Sequence, residues 1–428
     1  MKHIILFTSL FLLVFFIHGQ KLTRKEKQIV QEVEELDAEA LQFLIDVVNI
    51  NSGTYNHDGV KKTGKVFQKA FDAIGFQTQW IDMPENVNRA GHLFIERKGT
   101  RGKRLLLIGH LDTVFDKDSP FQKWATQDTI AYGPGANDMK GGDVVMLYAL
   151  KALYNAGVLD DTQIIAALHG DEESAGKPIE ISRRDIVEAA KRSDIALGFE
   201  TSSGFNYATV ARRGSSGWVL EVTGKQAHSS GIFNEKVGAG AIFEASRILY
   251  KFYEALSSEA LLTFNPGVIA GGTRVQSDDI ASTLTTYGKS NIVAQKVTVK
   301  GGLRFISEEQ KEKARESMRK IVAENLPHTS ATITFTDSYP AMPPTDGNLN
   351  LLKQLNQLSL DLEQGEVLAY DPGKRGAADI SFIAEYVDGL DGLGVMGGGA
   401  HSPNEYMDLT TFNDLIKRTA LFIYRLTR

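Results

Sequence analysis

Cysteine is absent from the 428 residues. No disulfide can hold this fold, and any metal site must be built from His, Asp and Glu. An excess of positive charge is missing too. With 47 Lys and Arg against 53 Asp and Glu, the formal net charge of -6 offers no general cationic surface for a phosphate backbone, which argues against nucleic acid as a partner. Beyond the N-terminus no stretch is long and apolar enough to span a membrane, and neither an internal repeat nor a low-complexity linker interrupts the chain. What remains, 42% hydrophobic and 23% charged, is the composition of a globular protein long enough to bury one large core or two smaller ones.

The first residues are the exception. Met1, Lys2 and His3 precede an apolar run from Ile4 to Ile17, broken only by Thr8 and Ser9. A spanning helix needs about 20 apolar residues, whereas a shorter run behind a basic start has the make-up of an export signal. Residues 1–20 read as a removable signal peptide with Gly19 before the cut, so the mature protein is expected to be secreted or periplasmic, without stable membrane insertion. A retained N-terminal helix is the alternative.

After the signal, apolar residues at Ile29, Val30, Val33, Leu36, Leu41, Leu44 and Ile45 follow a helical period. Leu105–Ile108 is an uninterrupted apolar run, as a central strand covered on both faces requires, and Gln163–Leu168 and Ile195–Phe199 read the same way, with a helix over Gly141–Ala156. Such alternation predicts an α/β fold with a mixed sheet and helices on both faces. The pattern changes at Trp218–Val222 and Asn291–Val299, which read as more exposed, antiparallel strands beside helices at 237–256 and 308–324. A second, α+β unit is therefore placed at 213–326, inserted into a catalytic unit made of 21–212 and 327–428. From Ala331 the chain resumes with a strand, a helix near 349–362, the glycine-rich Gly392–Gly399 and a last helix.

Metal-type residues sit where the buried strands end: His110 and Asp112, Asp138, Glu172 and Glu173, Glu200, and His401 after the glycine-rich turn. In open α/β sheets ligands bind outside the carboxyl ends of the strands. Taken singly each has a bland reading, a solvated acid or a hydrogen-bonded histidine, and Asp138 could cap the helix that follows it. Taken together they are costly to gather without a cation. The set suits two zinc ions, five ligands with one bridging carboxylate leaving room for water and substrate.

These residues carry a resemblance. His110-Leu-Asp-Thr-Val114, Tyr132-Gly-Pro-Gly followed by Asp138-Met-Lys-Gly-Gly142, Asp171-Glu172-Glu173 and His401 resemble the M20 family of metallopeptidases, especially its glutamate carboxypeptidase-like branch, over essentially the whole mature chain. The resemblance implies a zinc-peptidase catalytic domain with an inserted lid and dimerisation domain, and two zinc ions per subunit, with cobalt or manganese as substitutes. It implies that His110 and Glu200 hold one ion, Glu173 and His401 the other, and that Asp138 bridges them. Asp112 would orient His110, Glu172 would be the general base, and the Asp138-Met139 peptide bond would be cis. In the lid, His228 of Gly224–Ser230 would contact substrate across a two-fold dimer, and Asn291 and Arg304 would bind the scissile carbonyl region and a substrate carboxylate. Ala294, Gly301-Gly302 and Gly376–Asp379 depart from the family pattern, and those departures bear on substrate.

The resemblance thus implies an exported di-zinc carboxypeptidase acting as a homodimer on small peptides or N-acyl amino acids. An aminopeptidase, a dipeptidase or an N-acyl amino acid deacylase would use the same machinery, and a catalytically silent metal-stabilised binding protein would keep the fold.

Overall fold

The computed structural model describes residues 22–278 and 283–428. The apolar run read as an export signal lies outside them, and no described helix is long and apolar enough to cross a membrane.

The central sheet has six strands in the order Gln77–Ile81, His92–Arg97, Thr162–His169, Arg101–His110, Ile195–Gly198 and Gly389–Leu390. The first two are antiparallel to their neighbours and the last four are mutually parallel, which makes the sheet mixed. Its middle strand is buried from Leu105 to His110 because both faces are covered. Leu105 and Leu107 join a core with helices Arg24–Val48, Lys140–Asn155 and Phe412–Leu426, while Leu106 and Ile108 face Ile186, Ala189 and Ile380 on the other side. Alternate residues of a strand point to opposite faces, so one continuous apolar run serves two cores.

A second sheet of four strands runs in the order Thr263–Gly272, Lys296–Phe305, Gly214–Gly224 and Thr329–Asp337, all antiparallel. One face packs Trp218, Leu220, Val297 and Phe305 against helices Gly240–Leu256 and Glu308–Ala323. Two expectations need correcting here. The strand expected over Asn291–Val299 begins only at Lys296 and continues through Gly301-Gly302 to Phe305. The strand Thr329–Asp337, which a boundary at 326 assigned to the catalytic unit, is an outer strand of the smaller sheet, paired with Gly214–Gly224. Its alternation of exposed and half-buried residues is the same in either sheet, and only non-local pairing decides where it belongs.

The chain passes between the two sheets along a paired ribbon. Arg212 and Met342 exchange backbone hydrogen bonds of 2.9 and 3.0 Å, and Ser215 N–H donates to the Tyr339 carbonyl at 2.8 Å. Arg212 ties this ribbon to the catalytic body through Asp391, at 2.6 Å.

Candidate metal centre

Three neighbouring parallel strands end together, with His110 opposite His169 and Ile108 opposite Gly198 in register. Their carboxyl ends therefore deliver His110, the Glu172-Glu173 turn and Glu200 to one place. Asp138 arrives from the loop before helix Lys140–Asn155. It does not cap that helix, which has no side-chain cap. A Cβ on Gly142 would lie 2.0 Å from the Phe199 carbonyl oxygen, and one on Gly141 2.3 Å from that of Ala136, so glycine alone lets the helix start this close to the strand end. The Asp138-Met139 peptide bond is cis.

His110 Nε2 lies 3.3 Å from Asp138 Oδ1 and 3.4 Å from Glu200 Oε1. His401 Nε2 lies 3.3 Å from Asp138 Oδ2 and 3.1 Å from Glu173 Oε2. Asp138 thus turns one oxygen to each histidine. Donor atoms of His110, Glu172 and Glu200, and of His110, Asp138 and Glu173, each fall within 4.8 Å of one another.

Asp112 lies against His110, the residue it was expected to orient. His110 Nδ1 lies 3.1 Å from the Asp112 backbone carbonyl and 3.5 Å from its carboxylate. The carboxylate accepts from the amides of Glu172 and Glu173, at 3.0 and 3.2 Å, and from the Thr54 hydroxyl at 2.6 Å. It holds the Glu172-Glu173 turn while the main chain orients the imidazole.

The electrostatics are those of crowded acids. Burial raises Glu172 well above the usual carboxylate range, with Glu200, Asp379 and Glu173 adding to the rise and His110 opposing it. Burial pushes Glu173 up to about 7 despite the hydrogen bond from His401. Burial opposes protonation of His110, yet Asp112, Asp138 and Glu200 raise its pKa well above the ordinary imidazole value. Hydrogen bonds to Asp138 and Glu173 lift His401 to about 11. Acids seeking protons beside imidazoles seeking positive charge are asking for a cation.

The residues expected in a lid stand apart. His228 is exposed, and its Nδ1 lies 2.8 Å from Ser230 Oγ, while Asn291 is its neighbour through the Ser229 N–H···O bond of 2.9 Å to the Asn291 carbonyl. Arg304 lies on the sheet face away from the helices, where burial and the Arg213 guanidinium hold its pKa below the usual arginine value. Among the described residues none of the three hydrogen-bonds to the cluster.

Several supporting residues escaped the sequence reading. Glu405 accepts from the amides of Asn137 and Asp138, at 2.9 and 3.1 Å, and burial raises it to about 8. Its place shortly after His401 was the only local signal. Asp379 bonds His169 and also Arg183 at 2.8 Å, and Arg183 reaches Asp171 at 2.5 Å, a fully buried network beneath the Glu172 turn. Arg375 donates to the Thr201 carbonyl at 3.2 Å next to Glu200, with its Nε buried and unbonded.

An α/β body that gathers histidines and carboxylates at its strand ends, with an inserted antiparallel unit, defines a metal-dependent hydrolase. This chain belongs to peptidase family M20/M25/M40, whose pattern matches residues 106–425. It is 26% identical over 410 residues to carboxypeptidase G2 of Pseudomonas sp. (strain RS-16), covering 92% of this chain and 91% of that one. Aminopeptidase PepT from Bacillus cereus shares the fold with a TM-score of 0.70 at 18% identity, over 92% of this chain and 99% of its own. The YXEP protein of Bacillus subtilis, a dinuclear metal binding peptidase from the M20 family, does so with a TM-score of 0.65 at 12% identity, over 92% and 99%. The protein is an M20 metallopeptidase or amidohydrolase.

Proposed function

We propose that this protein is an exported di-zinc carboxypeptidase that releases a C-terminal residue from small peptides or N-acyl amino acids. The observation that carries the metal chemistry is Asp138, whose two oxygens face His110 and His401 at 3.3 Å each. The donor set fits two divalent ions: the buried His110 Nε2 has no hydrogen-bond partner among the described residues and is aimed at the carboxylates. His110 and Glu200 would hold one ion, Glu173 and His401 the other, and Asp138 both; zinc suits this mixed N/O set, with cobalt or manganese as substitutes. Bound there, the ions polarise the scissile carbonyl and lower the pKa of water.

Glu172 takes the proton of the attacking water and returns it to the leaving amine. Asp112 keeps the Glu172 turn in place through two amide hydrogen bonds. Arg304, which has no carboxylate partner among the described residues, pairs with the substrate's free carboxylate, and Asn291 holds the carbonyl region.

The lid also supports a homodimer. Ile242, Phe243, Tyr250 and Tyr253 are exposed along helix Gly240–Leu256, beside Val268 and Ile269 on the outer strand Thr263–Gly272. A row of exposed apolar side chains next to a strand edge that no described strand pairs is a surface that a second copy covers. His228 would then reach the partner's site.

The test is hydrolysis of a peptide and N-acyl amino acid panel by metal-loaded protein, each substrate with a free or an amidated C-terminus. Amidation is expected to lower kcat/KM at least tenfold. Unchanged rates would leave the peptidase and remove the carboxypeptidase, in favour of an aminopeptidase or deacylase. Mass spectrometry of the protein recovered from culture medium and periplasm tests export through loss of residues 1–20.

A further inference from the structure

A groove of about 760 Å³ lies on the catalytic body between helices Arg24–Val48, His57–Ala73 and Lys140–Asn155. Its apolar floor is the half-buried Phe43, Val66 and Ala70, lying over Leu147 and Tyr148, which are already buried in the core. The volume is in the range of pockets that enclose ligands, roughly 300–1,000 Å³. Nothing in the hydrolytic mechanism uses it. Helix Lys140–Asn155 starts at the metal-binding cluster and reaches the groove only from Leu147 onward, about 10 Å further along its axis.

One wall carries a row of positive charge. Helix His57–Ala73 buries Val60, Phe67 and Phe71 against the body and lines the groove with Lys62, Lys65 and Lys69. Spacings of three and four residues stack these side chains on one face over about 10 Å. Their neighbours differ. Lys61 pairs with Asp82 at 2.6 Å, and Lys151 on the opposite wall pairs with Glu39. Lys62, Lys65 and Lys69 have no carboxylate within ion-pair distance among the described residues. Glu39, the only acid among the described residues that line the groove, is already taken by Lys151 and the Tyr148 hydroxyl. In a chain of net charge -6, three unneutralised lysines in register along an apolar trough are not a by-product of overall composition.

A solvated lysine face is the ordinary explanation of such a row. It accounts for the charges but leaves the half-buried Phe43, Val66 and Ala70 beside them, with Tyr154 exposed at the end, uncovered among the described residues. A single-headed anionic amphiphile would cover the floor and engage one lysine. An occupant that satisfies both features carries several carboxylates in a row, spaced by three and four residues, with an apolar stripe alongside. We propose that this groove docks an acidic amphipathic helix of a partner protein, with its apolar stripe on Phe43, Val66 and Ala70 and its carboxylates on Lys62, Lys65 and Lys69.

The probe is a fluorescein-labelled peptide of helical design, acetylated and amidated so that it is not trimmed, with glutamates at i, i+3 and i+7 beside a leucine stripe. Anisotropy with the whole protein at low salt should give saturable binding, with Kd on the order of 10–100 μM, weakening as salt is added. Lys65→Glu/Lys69→Glu should weaken it at least tenfold while hydrolase activity stays at the wild-type level, which also reports intact folding. A peptide with lysines in place of its glutamates should bind that variant and not the wild type. Absence of saturable binding to the wild type overturns the proposal, as does binding indifferent to the charge reversal. Equal affinity of a composition-matched scrambled peptide overturns it too. So does lysine-dependent binding of dodecanoate or phosphatidylglycerol vesicles without binding of the peptide, which would assign the groove to a lipid.

Discussion

The Tyr339 hydroxyl donates a hydrogen bond of 2.7 Å to the backbone carbonyl of Glu172, across 167 positions of sequence. Tyr339 belongs to the ribbon that joins the two sheets, where its own carbonyl accepts from Ser215. The loop that carries the proposed base is therefore braced by the ribbon that joins the two sheets. Removing the hydroxyl alone, in Tyr339→Phe, is expected to lower kcat by about 3- to 10-fold, the worth of one hydrogen bond in the oriented state, with KM and metal content unchanged. Steady-state kinetics with elemental analysis of the same sample checks this. A lowered metal content would reassign Tyr339 to holding the fold of the metal centre.

Glu172→Gln keeps the shape of the side chain and removes its ability to take a proton. Turnover should fall by about 100- to 10,000-fold while both ions stay bound. Near wild-type turnover in the fully metallated variant would falsify the assignment of Glu172 as base.

Asp138 faces both histidines, whereas His401 faces only one side of the cluster. Asp138→Asn should therefore lower the affinity for both ions, and His401→Ala that for one. Metal-to-protein ratios after dialysis against a weak chelator distinguish the two variants. In the unsubstituted protein a strong chelator should abolish activity and lower Tm, because ions that bind only the folded chain stabilise it.

Acid stability should depend on His92. Its Nδ1 accepts from the Gly170 amide at 3.2 Å, which leaves Nε2 to donate to the Ser182 carbonyl at 3.0 Å, so both nitrogens are used by the neutral ring. Burial, with the neighbouring His169 and Arg183 adding to it and Asp171 and Asp379 opposing, pushes its pKa down to about 3. An unfolded histidine takes a proton near pH 6.5 that the folded one refuses. Between pH 6.5 and 3 the unfolded state thus binds more protons, and stability from this group falls by about 1.4 kcal/mol per unit as pH decreases. Denaturant midpoints measured across that window should slope less in His92→Gln than in the parent, whatever the variant's baseline. Parallel slopes would rule out His92 as the source.

The exposed His228 imidazole bonds only Ser230 among the described residues, and the proposal that it works in a partner's site has a direct test. His228→Ala should lower kcat by about 100- to 1,000-fold, the range for loss of an oxyanion donor, without loss of metal. Mixed with inactive Glu172→Gln under conditions of demonstrated subunit exchange, it should regain activity, since one of the two heterodimer sites keeps both residues. No recovery would mean that His228 acts within its own chain.

Much of the catalytic body was legible because its signals are local. Leu105–Ile108 had to be a strand covered on both faces, and His110, Glu172, Glu173 and Glu200 follow directly on such strands. The inserted unit was legible only in part. Thr329–Asp337 alternates as an outer strand of either sheet would, and Lys296–Phe305 runs through two glycines that weaken any strand signal.

The sequence by itself determined the chemistry available to this protein: no thiol, a particular set of imidazoles and carboxylates, and strands whose ends must carry them. Only the tertiary structure decided which of these groups meet. It turned the two oxygens of Asp138 toward two histidines, spent the Asp112 carboxylate on the Glu172 turn, and recruited Glu405 and Tyr339. The physical reason is that periodicity and motif act over a few residues, whereas hydrogen bonds between Asn137 and Glu405, 268 positions apart, exist only after the whole sheet has closed around them.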